Sequence, residues 1–436
     1  MMKKNRMIYF LLALVCLGLQ SCLFQEEDYF DDSSANRATA DVKRCSELLE
    51  AAPNGWVMEY YVGKDYSLGG ITLLCKFDGQ RVTMASQIAG ADETVSSLYS
   101  VKSEQATMLS FDTYNYLVHY FGQPQGSMAD DPNGTLGGDY EFVISDATAD
   151  RIELKGKKYG NRIVMKAFSA DQTWKQYLTR IKKVEDDAFF YEYDLRMDGL
   201  YTGQMLRSNY TFIVTYYDEV GKVYQKTVPF MFTTDGMRFH EPVTIDGQTM
   251  QNFVWKNEEI SFVCTDEGAT GVKMKGIYID GYQSYDYYPG TYLMDFYRLN
   301  GATNQLEVAS QEIQLVKNED GKSYWLKGLE YDILVTYDKP RGGLSILPQF
   351  LKKVQGGYVY LAMWDLMNDY VLRSSAIGLI SYPTTDGIYL VDNGVWMGEI
   401  SGFIFGVYDS QDEEASFMGY TDAVAAIRLI KKTIEE

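Results

Sequence analysis

The chain has 436 residues, 46% of them hydrophobic and 14% aromatic, which is enough apolar surface for more than one folded core. Sixty acidic against 40 basic residues leave a formal net charge of −20, and no Lys/Arg cluster offers the basic surface that nucleic acid needs, which argues against a nucleic-acid partner. Two histidines are too few for a histidine-based metal site, and no Cys-x-x-Cys spacing points to zinc or redox chemistry.

In chain order, Lys3, Lys4 and Arg6 form a basic n-region, residues 7–18 an apolar core, and Leu19-Gln20-Ser21-Cys22 a lipobox. An apolar run of about a dozen residues is too short to cross a bilayer, which takes roughly twenty, so residues 1–21 are expected to be a lipoprotein signal peptide. Cleavage after the small Ser21 leaves Cys22 as the lipidated first residue, and two or more acyl chains make a firm tether where one does not. Glu26, Glu27, Asp28, Asp31 and Asp32 follow. Such a run is solvated, and residues 22–40 are read as a disordered tether, either a plain spacer or one carrying a surface-export signal. With Cys16 in the signal and Cys22 lipidated, Cys45, Cys75 and Cys264 remain, read as buried free thiols.

Residues 41–168 read as a helix and a β-meander. Val42, Cys45, Leu48 and Leu49 fall at helical spacing behind Asp41 as N-cap. After Pro53-Asn54-Gly55 the period becomes two, with Trp56, Met58 and Tyr60 alternating, and Asp78-Gly79 signals a hairpin. Residues 169–269 repeat the order: Trp174, Leu178, Ile181 and Val184 mark one helical face, and strands separated by turn residues follow, which suggests a duplicated unit. From 270 to 436 long β-type runs form a third domain, with 422–432 open between a closing strand and a short helix. The expected class is mainly β with a few helices, in antiparallel meanders forming barrel-like or sandwich domains.

No Walker loop, GxGxxG, GxSxG or HExxH spacing occurs. His119 and His240 are read as packing residues, and Trp364 and Trp396 as mainly buried. The acidic loops at 130–139 and 409–414 lack EF-hand spacing, so no metal and no cofactor is expected. Tyr278 to Tyr292 is the densest aromatic stretch. Tyrosine joins an apolar face to a polar tip, so Tyr282, Tyr285, Tyr287 and Tyr288 are candidate ligand contacts, set against the simpler reading that they fill a β core.

Gly55-Trp56, Gly69-Gly70 ahead of the strand ending Lys76-Phe77, Gly138-Asp139-Tyr140-Glu141-Phe142 followed by 152–157, and the 230–242 stretch, together with the lipobox and acidic tail, resemble Bacteroidota lipoproteins of the domain-of-unknown-function family 4302. The likeness covers about residues 22–260. It implies a surface or periplasmic lipoprotein, often encoded near outer-membrane nutrient-uptake systems, and it supplies no catalytic residues. The expectation is therefore a non-enzymatic, lipid-anchored outer-membrane protein, held by Cys22 and facing the cell surface more than the periplasm, that captures a glycan or a surface-protein ligand. The alternatives are a structural or assembly subunit of a lipoprotein or transporter complex and, behind it, a carboxylate-dependent hydrolase.

Overall fold

The computed structural model describes residues 33–124, 134–217, 220–412 and 414–432. Cys22, the signal peptide, the acidic run and the 130–133 loop lie outside the described residues.

The first helix, α1 (Ser34–Ala51), starts earlier than expected. Ser33 rather than Asp41 is its N-cap, accepting a hydrogen bond from the Asn36 amide at 3.2 Å, so the tether expected over 22–40 gives way to helix at Ser34. Asp41 faces the protein instead and accepts from the Thr107 hydroxyl. Eight antiparallel strands follow: β1 (Trp56–Val62), β2 (Gly69–Asp78), β3 (Arg81–Ser86), β4 (Val95–Ser103), β5 (Thr107–Phe111), β6 (Glu141–Ala147), β7 (Arg151–Gly156) and β8 (Arg162–Ala167). The last returns to the first, Met58 opposite Met165, and the sheet closes as a barrel. The short α2 (Tyr116–His119) lies between β5 and β6. Trp56, Met58, Tyr60 and Val62 alternate into the barrel, and Cys45 and Leu49 of α1 join that core. Trp56 Nε1 donates to the Leu49 carbonyl at 2.8 Å, satisfying an acceptor that the end of α1 leaves open.

The same plan recurs. Thr173 and Gln176 form a capping box at the start of α3 (Trp174–Asp187). The strands β9 (Glu192–Met197), β10 (Leu200–Ser208), β11 (Thr211–Tyr217), β12 (Val223–Phe232), β13 (Gly236–Ile245), β14 (Gln248–Lys256), β15 (Ser261–Cys264) and β16 (Val272–Ile277) close a second barrel. Here Tyr193 Oη donates to the Ala188 carbonyl at the end of α3, the counterpart of the Trp56 bond. Closure requires β16 to pair with β9, so the second unit runs past the expected boundary at 269. Both interiors are filled by large side chains, including Trp56, Tyr60, Phe111 and Phe142 in one and Tyr193, Phe212, Phe230, Phe232 and Phe239 in the other.

The barrels share α3. Leu178 packs with Leu74, Ala85 and Phe168 on the outside of the first barrel, while Ile181 and Val184 enter the second core. Beside it, Glu59 projects outward from β1 between Lys166 at 2.7 Å and Arg238 of β13 at 2.5 Å. Gly69 meets Tyr210 so closely that a Cβ would lie 2.0 Å from its carbonyl oxygen, and its φ of +71° also favours glycine.

The third domain uses β17 (Gly290–Asn300), β18 (Gln305–Lys317), β19 (Ser323–Lys327), β20 (Ile333–Asp338), β21 (Gly343–Ile346), β22 (Gln349–Val354), β23 (Gly357–Asp365), β24 (Tyr370–Leu372), β25 (Leu379–Thr384), β26 (Gly387–Asp392), β27 (Gly402–Tyr408) and β28 (Phe417–Lys431). The last of these settles the open reading of 422–432 as a strand. It pairs with β17, Tyr292 opposite Lys431, and this zips the beginning of the domain to its end. The ring so formed runs β17-β18-β19-β20-β21-β25-β26-β28; on the edge of β28 opposite β17, β26 pairs with Arg428 and Leu429 and β27 with the earlier residues, and β27, β23 and β22 continue from there as an outer sheet.

Burial alone would raise the pKa of Glu59, but Arg238 and Lys166 outweigh it and hold the carboxyl below its ordinary value. Arg238→Ala is expected to cost about 3 kcal/mol in chemical denaturation, because it strips a buried carboxylate of its closest partner. A depressed folded pKa gives stability that is present above the unfolded value of about 4.3 and lost as pH falls. Glu59→Gln should therefore flatten the acid limb of the stability–pH profile.

Candidate functional site

The four tyrosines singled out by sequence do not form one exposed platform. Tyr288 is fully buried, its hydroxyl donating to the Gly342 carbonyl at 2.8 Å. Half-buried Tyr285 donates to the Ser323 carbonyl at 2.8 Å, with the Asn318 carbonyl 3.3 Å away, and stacks on Tyr324, with ring centres 4.7 Å apart. Tyr282 lies parallel to Phe189 of the second barrel, and Tyr278 meets Phe190 edge-on. Tyr287 is more open, at 39% exposed, with the Lys431 ammonium 5.0 Å from its ring centre. The stretch thus plugs one end of the third domain and packs it against the second barrel.

The histidines are packing residues as well. His240 lies between Tyr61 and Tyr66 at the barrel junction, with ring centres 4.2 and 4.1 Å away, and burial lowers its pKa. His119 stacks on Tyr140 at 4.7 Å. Cys45, Cys75 and Cys264 are free and buried. Among the described residues no three His, Cys, Asp or Glu side chains converge as a metal site.

A better-formed concavity lies on the outer sheet of the third domain. In β23, Val359, Leu361 and Met363 face the core, so Tyr358 and Tyr360 point the other way. On the same face, Phe350 of β22 stands opposite Tyr360, and Tyr408 of β27 opposite Tyr358. Gly406 faces Tyr360 and leaves room for the neighbouring rings: a Cβ there would sit 2.9 Å from a carbon of Tyr408 and 3.1 Å from one of Phe417. The result is a cross-strand aromatic band. Phe350 and Tyr360 are 5.4 Å apart, Tyr360 and Tyr408 5.7 Å, and Tyr408 and Phe417 5.5 Å, with neighbouring rings steeply inclined.

Arg373, just after β24, lays its guanidinium 4.3 Å from the Tyr408 ring centre and 4.8 Å from that of Tyr360 and donates to the Asp412 carbonyl. Between these groups is a cleft of about 650 Å³ whose rim also carries Ser374, Ser375, Gln411 and Asp412. Phe350 and Phe417, each 45% exposed, keep apolar surface open beside it. Planar polar groups around exposed aromatic carbon match the two-sided chemistry of a sugar ring, which has a C–H face and a hydroxyl rim. Sequence reasoning passed over this site because its residues come from four separated segments.

The model of a domain of unknown function, DUF4302, matches residues 26–257, more than half of the chain. The chain belongs to that family. A second domain of unknown function, DUF4987, matches residues 265–404. No curated protein matches the chain. Among solved structures, a DUF3598-family protein of unknown function from Nostoc punctiforme is 7% identical, covering 57% of this chain and 99% of that one, with a TM-score of 0.15. Intact transferrin binding protein B, called Ap-TbpB, is 11% identical over 84% of this chain and 67% of that one, and a mutant of the Haemophilus parasuis protein is 12% identical over the same shares, both with a TM-score of 0.11. The DUF4302 match spans α1 to the end of β14, and the cleft belongs to the part beyond it.

Burial raises the pKa of Tyr285, Tyr288, Tyr292, Tyr324 and Tyr337. A raised folded pKa means stability that is full below the free tyrosine value of about 10 and lost as pH rises above it. Spectrophotometric titration is expected to show a late-ionising group of tyrosines that titrates together with loss of near-ultraviolet dichroism.

Proposed function

We propose that this protein is a non-enzymatic, lipid-anchored binding protein of the outer membrane, tethered by Cys22 on the cell surface, that captures a glycan chain at the cleft of its third domain. The observation that carries the reading is the aromatic band of Phe350, Tyr360, Tyr408 and Phe417, with Arg373 and the polar rim placed against it. It lies outside the packed barrels, where a polymer can approach without any domain opening. The lipobox and the acidic run behind it support the address, since a lipidated Cys22 followed by a solvated acidic segment is what a permanent tether ahead of the folded part requires.

The test is electrophoresis of residues 23–436 through native gels containing single polysaccharides. All three folded units lie within that span. Retardation by one polysaccharide is expected, with the affinity falling about tenfold in Tyr360→Ala and in Phe417→Ala, as the loss of one aromatic contact implies. Tyr287→Ala should bind like the parent. Retardation by none of them, or retardation unchanged in the two cleft variants, contradicts the reading. Anchoring is checked separately: Cys22→Ala is expected to abolish incorporation of labelled fatty acid and to release the protein from the membrane fraction.

A further inference from the structure

Several strands among the described residues leave all or part of an edge unpaired, β22 and β24 among them, and β12 and β18 show two treatments of such an edge. Strand β12 pairs with β13 only through Phe230, Met231 and Phe232, so its earlier residues border no other strand of the described residues on that side. That stretch carries Lys226 and Pro229, the residue types that blunt an edge by charge and by removal of an N–H. Strand β18 pairs with β17 from Gln305 to Leu315 but with β19 only from Gln314. The Gln311 side chain reaches the Gly328 carbonyl, which leaves Gln305 to Ser310 bordered by no strand among the described residues. At about 3.4 Å per residue this is roughly 20 Å of backbone ladder. No Pro, Lys or Arg interrupts it. Val308 is 79% exposed, and Leu306 and the cross-strand neighbour Tyr297 are also open.

We infer that this edge pairs antiparallel with the same edge of a second copy, with Val308 on the two-fold axis. A two-fold axis normal to the sheet keeps each side chain on its own face, so only whole two-residue steps of register are open. Centring on Glu307 would set two carboxylates face to face. Centring on Ala309 would place Leu306 opposite Glu312. Centring on Val308 pairs Val308 with itself, Leu306 with Ser310 and Glu307 with Ala309, all within the unpaired stretch, and no carboxylate faces another. The two copies each carry a formal charge of −20, so their mutual repulsion is long-ranged and falls with salt. The inference stands apart from the glycan reading.

Sedimentation of residues 23–436 across a dilution series is expected to show a monomer–dimer equilibrium that tightens with added salt and is abolished by Val308→Lys with no change in melting temperature. Mild oxidation should cross-link Val308→Cys to a covalent dimer about tenfold faster than the exposed control Leu200→Cys, because pairing raises the local thiol concentration. The native cysteines are buried and do not compete. A monomer at every concentration, a dimer that survives Val308→Lys, or equal cross-linking of the two cysteine variants would overturn the inference.

Discussion

Sheet closure is the constraint from which the rest follows. Once β8 returns to β1 and β16 to β9, every strand of each barrel has neighbours on both sides, and alternate residues must point inward. Those inward positions carry Trp, Tyr, Phe, Met and Leu, so the interiors are packed cores. A barrel built this way offers chemistry only at its rims and outer faces. The helices follow the same logic, since α1 adds apolar residues to the first core and α3 adds them to the second while covering the outside of the first.

The junctions carry charged groups, while Ser97 and Asn115, buried in the first barrel, are neutral and bonded to each other. Glu59, Lys166 and Arg238 meet beside the ring stack of Tyr61, His240 and Tyr66, so the two barrels are held by charge and by aromatic contact together. A buried ion pair is a modest source of stability but a strict one, because an unmatched charge there is costly. At the next junction, Lys339 donates to the Asp186 carbonyl and lies over Phe189, where Tyr282 also stacks. The tyrosine stretch therefore serves as the joint between the second barrel and the third domain. On the outer sheet, Phe350 and Phe417 remain exposed beside half-buried Tyr360 and buried Tyr408, an aromatic group with no contact of this kind to another domain among the described residues.

The β class was legible because period-two alternation is local. Trp56, Met58 and Tyr60 announce β1, and Leu178, Ile181 and Val184 announce α3, from spacing alone. Elements whose burial depends on distant partners were not legible. Strand β10 is half exposed and carries Gly203, which is needed because a Cβ there would lie 2.2 Å from the Thr215 carbonyl, a contact no local pattern reveals. The start of α1 was misplaced because Asp41 is as good a cap by type as Ser33, and only its bond to Thr107 shows that it is needed elsewhere. The tyrosines illustrate the same limit: density along the chain said nothing about which hydroxyls would end on backbone carbonyls. Closure of β28 onto β17 joins positions over a hundred residues apart, and the cleft it helps to build shares that long range.

The central claim is that ligand capture takes place on the outer sheet of the third domain. Hydrogen exchange of the chain with and without a polysaccharide that retards it tests this most directly. The account predicts slowed exchange in β23, in β27 and in the 371–375 segment, with the barrels unchanged. Protection confined to the tyrosine stretch at 278–292, or to either barrel, would contradict it.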